Sequence, residues 1–252
     1  MIVIKFGGHA MGENASQWMQ ELAHRFKAGE RFVIVHGGGP QIDQELKLRG
    51  IEKKLINGFR FTDKETMQVV EMVLTGTVLR SVVRSFVQVG LPAVGITGSD
   101  SKLLQVDYKD KENLGLVGVV KKVNSKILHD LLDMGYLPVI SPVANDSNGV
   151  ALNINADLAA GAIAGALRAN QMLFLTDVPG IYANWPDQGS LIDSIEVNEL
   201  KKIAFSEGMI PKVEAAINAI EAGALSSRVL DGKSLDSFVS ALNGEGGTWV
   251  HP

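Results

Sequence analysis

Short apolar runs alternate along the chain with longer segments whose apolar residues recur every three to four positions. The runs predict buried strands and the longer segments predict amphipathic helices. Strands are predicted at 2–6, 32–36, 93–96, 136–141, 172–175, 227–230 and 247–250, and helices at 14–27, 41–49, 64–87, 125–134, 158–167, 196–205, 211–222 and 235–242. A hairpin formed by 103–106 and 116–122 interrupts this rhythm. The alternation predicts an α/β protein with a largely parallel sheet covered on both faces and ligands at the carboxyl ends of its strands.

Three consecutive glycines, Gly37, Gly38 and Gly39, separate the second predicted strand from the next helix, with Pro40 at a first helical position. Chain without Cβ atoms turns sharply and brings its N–H groups close to a ligand. The helix N-terminus that follows favours an anion at the same place. One such loop is equally typical of an ordinary strand-to-helix turn, so its meaning depends on the rest of the chain.

Lys5 lies in the first predicted strand, just before Gly7 and Gly8. A lysine there either reaches the surface along its aliphatic stem or points into the loop mouth, where an anion would neutralise it. The loop from Gly7 to Gly12 is not a P-loop, because Glu13 stands where that motif needs lysine.

Arg60 comes before a long predicted helix, and we expect Thr62 and Glu65 to form a capping box at its start. The arginine is either a solvated charge or a planar fork for a carboxylate. The apolar stripe of the helix fits equally a core and a subunit interface.

Asn153, Asn155 and Asp157 alternate with apolar residues before a helix of small side chains. In an extended segment all three would share one face. Either Asn155 or Asp157 would cap the helix, so three polar side chains exceed what a cap requires.

The pattern restarts near residue 169, and Thr176–Tyr182 follows a buried strand. Lys212 lies in the first turn of a later helix, where acidic residues are usually preferred. A lysine there is explained if its charge and the positive end of the helix dipole both face one anion.

The composition argues against several classes of protein. The chain has 252 residues, net charge −4 and no cysteine. These values argue against a nucleic-acid surface, a disulfide framework and a cysteine metal site. The chain begins directly with a strand and shows neither a signal peptide nor an apolar run of membrane-spanning length, so we expect a cytoplasmic protein.

Six ordered blocks resemble the motifs of the amino-acid kinase family. They are Lys5–Gly8, His36–Ile42, Gly58–Thr62, Asn153–Asp157, Thr176–Gly180 and Gly208–Lys212, and they span the whole chain. The arginine block and the glycines followed by Pro-Gln-Ile most resemble the branch that acts on N-acetyl-L-glutamate. The resemblance implies a three-layer αβα sandwich with two lobes, in which residues 1–169 bind the acceptor and dimerise and residues 170–252 bind ATP.

The reaction implied is transfer of the γ-phosphoryl group of MgATP to the side-chain carboxylate of N-acetyl-L-glutamate, in arginine biosynthesis. Lys5 and Lys212 would stabilise the transferring group, Gly8, Gly37 and Gly38 would donate N–H groups, and Asp157 would hold the lysines. Gly39 would line the acceptor site, where Arg60 would grip the α-carboxylate and Asn153 would hydrogen-bond the acceptor. The nucleotide would be lined by Thr176, Asp177, Val178, Gly180, Ile181, Tyr182, Ala204, Phe205 and Ser206. Magnesium would be carried by the phosphates, without a protein ligand.

Two departures from the family pattern have consequences. His9 stands where many members have asparagine, either as a neutral substitute or as a sign of a changed acceptor or regulation. Relatives inhibited by arginine carry a helix ahead of the first strand, so we expect a homodimer without that form of inhibition.

Two rival functions keep much of the same sequence. A sister kinase acting on glutamate or aminoadipate linked to an acidic carrier protein would keep the lysines but should show a basic rim, for which only Lys53-Lys54 and Lys121-Lys122 are candidates. A catalytically inactive amino-acid-binding regulator would not need a second lysine at the phosphoryl position.

Overall fold

The computed structural model describes residues 1–7, 15–205 and 209–252. These residues group into two compact units, Met1–Phe32 with Ala160–Pro252 (unit 1) and Val33–Ala159 (unit 2). The grouping differs from the predicted lobes because β1 (Ile2–Phe6) pairs in register with β11 (Gln171–Thr176), which brings the start of the chain into unit 1. The assignment of acceptor and ATP binding to two lobes stays a prediction.

Unit 1 is built on a sheet with strand order β12-β14-β13-β11-β1. Parallel pairing joins β1 to β11 and β11 to β13, while β14 runs antiparallel to β13. The elements of this unit are β1, α1 (Ala15–Lys27), most of α7 (Ala156–Ala166), β11, β12 (Ser194–Glu196), α8 (Val197–Leu200), α9 (Ile210–Glu221), β13 (Ser227–Asp231), α10 (Leu235–Leu242) and β14 (Thr248–His251). Trp18 is stacked between Phe6 and Phe238, with ring centroids 6.0 and 5.4 Å away, and anchors the core.

Unit 2 contains the parallel strands β2-β8-β5 and a smaller sheet with the order β6-β7-β10-β9. Its strands are β2 (Phe32–His36), β3 (Leu55–Ile56), β4 (Phe59–Arg60), β5 (Ala93–Thr97), β6 (Leu104–Tyr108), β7 (Val117–Val123), β8 (Leu137–Ser141), β9 (Val143–Asn145) and β10 (Ala151–Ile154). Its helices are α2 (Gly39–Leu48), α3 (Lys64–Glu71), α4 (Leu79–Gln88), α5 (Lys111–Leu114) and α6 (Lys126–Asp133). The predicted hairpin of 103–106 and 116–122 is confirmed as the antiparallel pair β6 and β7.

The long predicted helix is continuous, but Met72–Val78 between α3 and α4 is a π-helical segment. The whole helix, Lys64–Gln88, is long and apolar enough to cross a membrane by length and composition, contrary to the sequence reading, yet half of its most apolar window is buried inside the protein. Its apolar stripe, with Val70, Val82 and Phe86 fully buried, is therefore core material of unit 2.

Two local predictions were wrong. The capping box does not form, because Asp63 is the N-cap of α3 and its carboxylate accepts from the Thr66 N–H at 2.8 Å. The helix predicted at 196–205 is only the short α8, Val197–Leu200, with Lys201 as its C-cap.

Candidate active site

Lys5 and Lys212 both belong to unit 1. Lys5 is half-buried near the end of β1, and its Nζ lies 3.7 Å from the position that a Cβ on Gly7 would occupy. The amine therefore lies along the chain that leaves the carboxyl end of β1. Gly8 and His9, which follow, lie outside the described residues.

Lys212 lies in the first turn of α9, and its Nζ is 3.2 Å from Oδ1 of Asp177. Asp177 is the residue directly after β11. Burial alone raises the pKa of Asp177, but the hydrogen bond and the charge of Lys212 outweigh burial and hold the pKa below its usual value of 3.8. A carboxylate from the neighbouring strand end thus faces this unusual helix-terminal lysine.

Three of the predicted nucleotide-lining residues meet in one apolar cluster. Val178, Tyr182 and Phe205 pack together with Met209, Trp185 and Leu191. The side chains of Ile181 and Tyr182 are 0% and 2% exposed. Both side chains therefore belong to the protein interior, so a ligand at this segment would meet mainly its backbone groups. Ala204 is exposed, and Ser206 lies outside the described residues.

The segment after β11 is fixed by hydroxyl groups. Thr176 Oγ1 accepts from the Val178 N–H at 3.2 Å, and Thr248 Oγ1 accepts from the Ile181 N–H at 2.7 Å. A Cβ on Gly180 would lie 2.5 Å from Thr248 Oγ1. Any larger residue at position 180 would clash with Thr248, so glycine is required here for lack of space.

The triple-glycine loop belongs to unit 2, where Gly38 is the N-cap of α2 and Pro40 lies in its first turn. A Cβ on Gly38 would approach Leu74 Cδ2, in the π-helical segment, to 2.6 Å. The φ of Gly38 is 174°, outside the left-handed region, so the close approach to Leu74 is what disfavours a larger residue here.

The side chain of Arg60, at the end of β4, is held by hydrogen bonds to residues of α2. Its Nη2 donates to Oδ1 of Asp43 and lies 3.5 Å from the Gly39 carbonyl oxygen. Its side chain is 11% exposed, and Nη1 is buried without a hydrogen-bond partner in the part of the chain that the structure describes. A buried guanidinium N–H without an acceptor is unfavourable, which makes this atom a candidate contact for an anionic ligand.

Asn153 is brought to the Arg60 segment by Thr62. The amide Nδ2 of Asn153 donates to Thr62 Oγ1 at 3.2 Å, and the same hydroxyl donates to the Arg60 carbonyl oxygen at 2.8 Å. Thr62 is fully buried.

Asn153, Asn155 and Asp157 do not lie in one extended segment as expected, because β10 ends at Ile154 and α7 already begins at Ala156. Asn155 caps the helix by accepting from the N–H groups of Asp157 and Leu158 at 2.9 and 3.1 Å. Asp157 lies in the first helical turn, where the extended alternation has ended.

A family model for the amino acid kinase family matches residues 1–231. The chain belongs to the amino acid kinase family. An acetylglutamate kinase from Archaeoglobus fulgidus is 40% identical over 269 residues, which cover 100% of this chain and 93% of that protein. The resemblance deduced from the six sequence blocks is thereby confirmed.

Solved structures agree with the family's fold. The structure of smu.665 from Streptococcus mutans UA159 has a TM-score of 0.85, is 28% identical and covers 99% of this chain and 98% of that one. The carbamate kinase from Giardia lamblia bound to AMP-PNP has a TM-score of 0.74 at 21% identity, over 99% of this chain and 97% of that one, and shows the fold alone. The chain is thus an α/β amino acid kinase with a central, largely parallel sheet, as predicted.

Sequence reasoning missed Asp43 and Thr62 in this amino acid kinase. Thr62 was assigned to a capping box, although its hydroxyl joins Arg60 to Asn153. Asp43 stands four residues after the last glycine of the loop, so the helical period places it on the same side of α2 as Gly39. That spacing could have identified Asp43, because a carboxylate on this side of α2 can pair with a cation that contacts the start of the helix.

Proposed function

We propose that this amino acid kinase transfers the γ-phosphoryl group of MgATP to the side-chain carboxylate of N-acetyl-L-glutamate, giving N-acetyl-L-glutamyl 5-phosphate in arginine biosynthesis. The observation that carries the proposal is the buried Nη1 of Arg60, which has no partner among the described residues and lies beside the glycine loop of a chain 40% identical to an acetylglutamate kinase. A guanidinium held through one nitrogen, with the other nitrogen lacking an acceptor among the described residues, fits the α-carboxylate of an amino-acid acceptor.

The acceptor contacts belong to unit 2. Arg60 binds the α-carboxylate, and Asn153, fixed by Thr62, retains hydrogen-bonding capacity for the acceptor. The glycine loop offers backbone N–H groups where α2 begins, at a helix terminus suited to an anion. The side-chain carboxylate of the acceptor is ionised at neutral pH, so the reaction needs no general base.

The phosphoryl contacts are assigned to Lys5 and Lys212, with Gly8 as a further N–H donor. A carboxylate that attacks a phosphoryl group needs charge neutralisation and in-line placement more than covalent help. Lysine ammonium groups at the carboxyl end of β1 and the start of α9 supply that positive charge. Asp157 is assigned to orienting the lysines. MgATP would be a substrate, with its magnesium held by the phosphates and its adenosine lined by the segment Thr176–Tyr182.

We further propose a cytoplasmic homodimer. Strand β5 is an edge strand of the parallel strands in unit 2, and all five of its residues are only half-buried. A second copy of the chain would cover them. Light scattering coupled to gel filtration tests this, and a monomer or a hexamer in solution would contradict it.

The carrier-linked alternative is less well supported. Lys54, Lys109 and Lys111 lie over the rings of Phe61, Phe59 and Tyr108, next to the Arg60 hairpin. However, Asp107, Asp110 and Glu112 are interspersed with these lysines, so they do not form a concentrated basic rim.

A hydroxamate assay tests the proposed function. Purified protein, MgATP and hydroxylamine are incubated with N-acetyl-L-glutamate and, in parallel, with L-glutamate, L-aspartate and L-2-aminoadipate. Acyl hydroxamate from acetylglutamate alone, lost in Lys5→Ala, is the expected result. ATP binding without product from any free acceptor would overturn the proposal in favour of a carrier-linked substrate.

A further inference from the structure

The carboxylate of Asp43 lies between two cations that approach from the Arg60 hairpin. Its Oδ1 accepts from Arg60 Nη2, and its Oδ2 accepts from Lys53 Nζ at 2.7 Å. Asp43 belongs to α2, the helix that starts at the glycine loop, whereas Lys53 precedes β3 and Arg60 ends β4. One side chain therefore ties both ends of the hairpin to the helix of the glycine loop.

These contacts determine which nitrogen of the guanidinium lacks a hydrogen-bond acceptor among the described residues. Nη2 is directed to Asp43 and the Gly39 carbonyl oxygen, and Nη1 stays buried without a partner among the described residues. A free arginine side chain samples many rotamers, and fixing it on ligand binding opposes affinity. A guanidinium already fixed by a carboxylate avoids most of that cost.

We propose that Asp43 is a positioning residue that holds Arg60 so that Nη1 faces the α-carboxylate of the acceptor. The proposal rests on the proposed function, since it needs an acceptor that carries this carboxylate. Asp43 itself touches neither the acceptor nor the transferred phosphoryl group.

Lys53 offsets the repulsion that the Asp43 carboxylate would exert on an incoming anion. Asp43, Arg60 and Lys53 together carry one net positive charge, which a single incoming carboxylate neutralises. Without Lys53, the charges of Arg60 and Asp43 would cancel, and the electrostatic attraction for an anion would be weaker. Burial alone raises the pKa of Asp43, but its hydrogen bonds to Lys53 and Arg60 and their charges hold the pKa below 3.8, so the carboxylate stays ionised at neutral pH.

Steady-state kinetics on Asp43→Asn test the proposal. We expect KM for N-acetyl-L-glutamate to rise by about 10- to 100-fold, the range for hydrogen bonds to charged groups, with kcat and KM for ATP changed by less than about threefold. Asp43→Glu, which keeps the charge, should recover part of the affinity. Lys53→Met, which leaves the Arg60 contact intact, should have a smaller effect on KM than Asp43→Asn.

A double-mutant cycle with Arg60→Gln separates positioning from a general structural role. If Asp43 acts through Arg60, Asp43→Asn raises KM in the wild-type background and causes no further rise in Arg60→Gln. Asp130→Asn is the matched control, because its exposed ion pair with Lys126 lies on α6, and it should keep wild-type kinetics. Circular dichroism verifies that each variant is folded.

The outcomes distinguish the two proposals. An active wild-type enzyme whose KM is unchanged in Asp43→Asn, or additive effects in the cycle, would overturn the positioning role alone. A wild-type protein that does not phosphorylate acetylglutamate would overturn the proposed function, and the positioning role with it.

Discussion

The amide of Asn153 donates a hydrogen bond to the hydroxyl of Thr62 at 3.2 Å, although the two residues are 91 positions apart in the sequence. The same hydroxyl donates to the Arg60 carbonyl oxygen. One buried threonine thus fixes the relative placement of two side chains assigned to the acceptor.

Replacing this threonine should affect binding and stability together. Thr62→Val keeps the shape but leaves the Arg60 carbonyl oxygen and the Asn153 amide without this partner, which should lower the free energy of unfolding by about 1–3 kcal/mol. We also expect a higher KM for acetylglutamate. Urea denaturation and steady-state kinetics measure both effects. Thr62→Ser keeps the hydroxyl and is the control, and equal KM values in both variants and the wild type would contradict the assigned role.

The two lysines of unit 1 should govern turnover. Lys5→Met and Lys212→Met remove positive charge assigned to the transferring phosphoryl group, so kcat should fall by about 10²- to 10³-fold in each. Initial rates at saturating substrates provide the measurement. Lys201→Met removes an exposed ion pair with Glu221 and should leave kcat unchanged. Full activity in Lys212→Met would exclude it from the phosphoryl site.

The end of β2 should make the protein sensitive to mild acid. Burial lowers the pKa of His36 to about 4, with help from the charge of Arg80 and against the hydrogen bond with Gly37. Between pH 6.5 and 4 the unfolded chain therefore binds a proton that the folded protein does not, so stability falls as pH falls through this window. The loss attributable to His36 is on the order of 3 kcal/mol.

The variant His36→Gln should show a flatter dependence of the free energy of unfolding on pH between 4.5 and 7. Urea titrations at a series of pH values measure it. His129→Gln, at an exposed position on α6, should keep the wild-type slope. A wild-type slope in His36→Gln would show that other groups cause the acid sensitivity.

The N-cap of α3 offers a test of local structure. Asp63→Ala removes the acceptor for the Thr66 N–H and should destabilise the protein by about 0.5–2 kcal/mol. Glu65→Ala should have little effect, because the capping box that would use this side chain is replaced by Asp63. Thermal denaturation of both variants distinguishes the two caps. A larger destabilisation by Glu65→Ala than by Asp63→Ala would favour the capping box.

The contact between α7 and α9 should tolerate no extra atom at Gly165, where a Cβ would lie 2.3 Å from the Ala222 carbonyl oxygen. Gly165→Ala forces the two helices apart, and overpacking of this kind costs about 1–3 kcal/mol or more. Gly76→Ala is the matched control, since no atom of the described residues lies within 4 Å of its Cβ position, and it should be neutral or slightly stabilising. Equal denaturation midpoints for the two variants would contradict this packing.

Most strands and helices follow from apolar periodicity, because burial of one face is a local property of the sequence. The predictions at 2–6 and 32–36 match β1 and β2 residue for residue. The π-helical segment Met72–Val78 escaped this reasoning, since its apolar residues fit an α-helical stripe as well. The cap of α3 was misplaced because Thr62 and Asp63 have similar capping preferences. The contacts of the Thr62 hydroxyl with the Arg60 carbonyl oxygen and the Asn153 amide show that it does not cap the helix.

The sequence by itself determined the fold class, the family and the candidate residues, because strand and helix periods and glycine-rich strand ends are written in consecutive residues. The tertiary structure decided which of those residues have partners. The bond from Asn153 to Thr62, the Asp43 carboxylate between Lys53 and Arg60, and the contact of Lys212 with Asp177 join residues from different elements. Such contacts depend on how strands and helices pack in space, and spacing along one chain does not encode those distances.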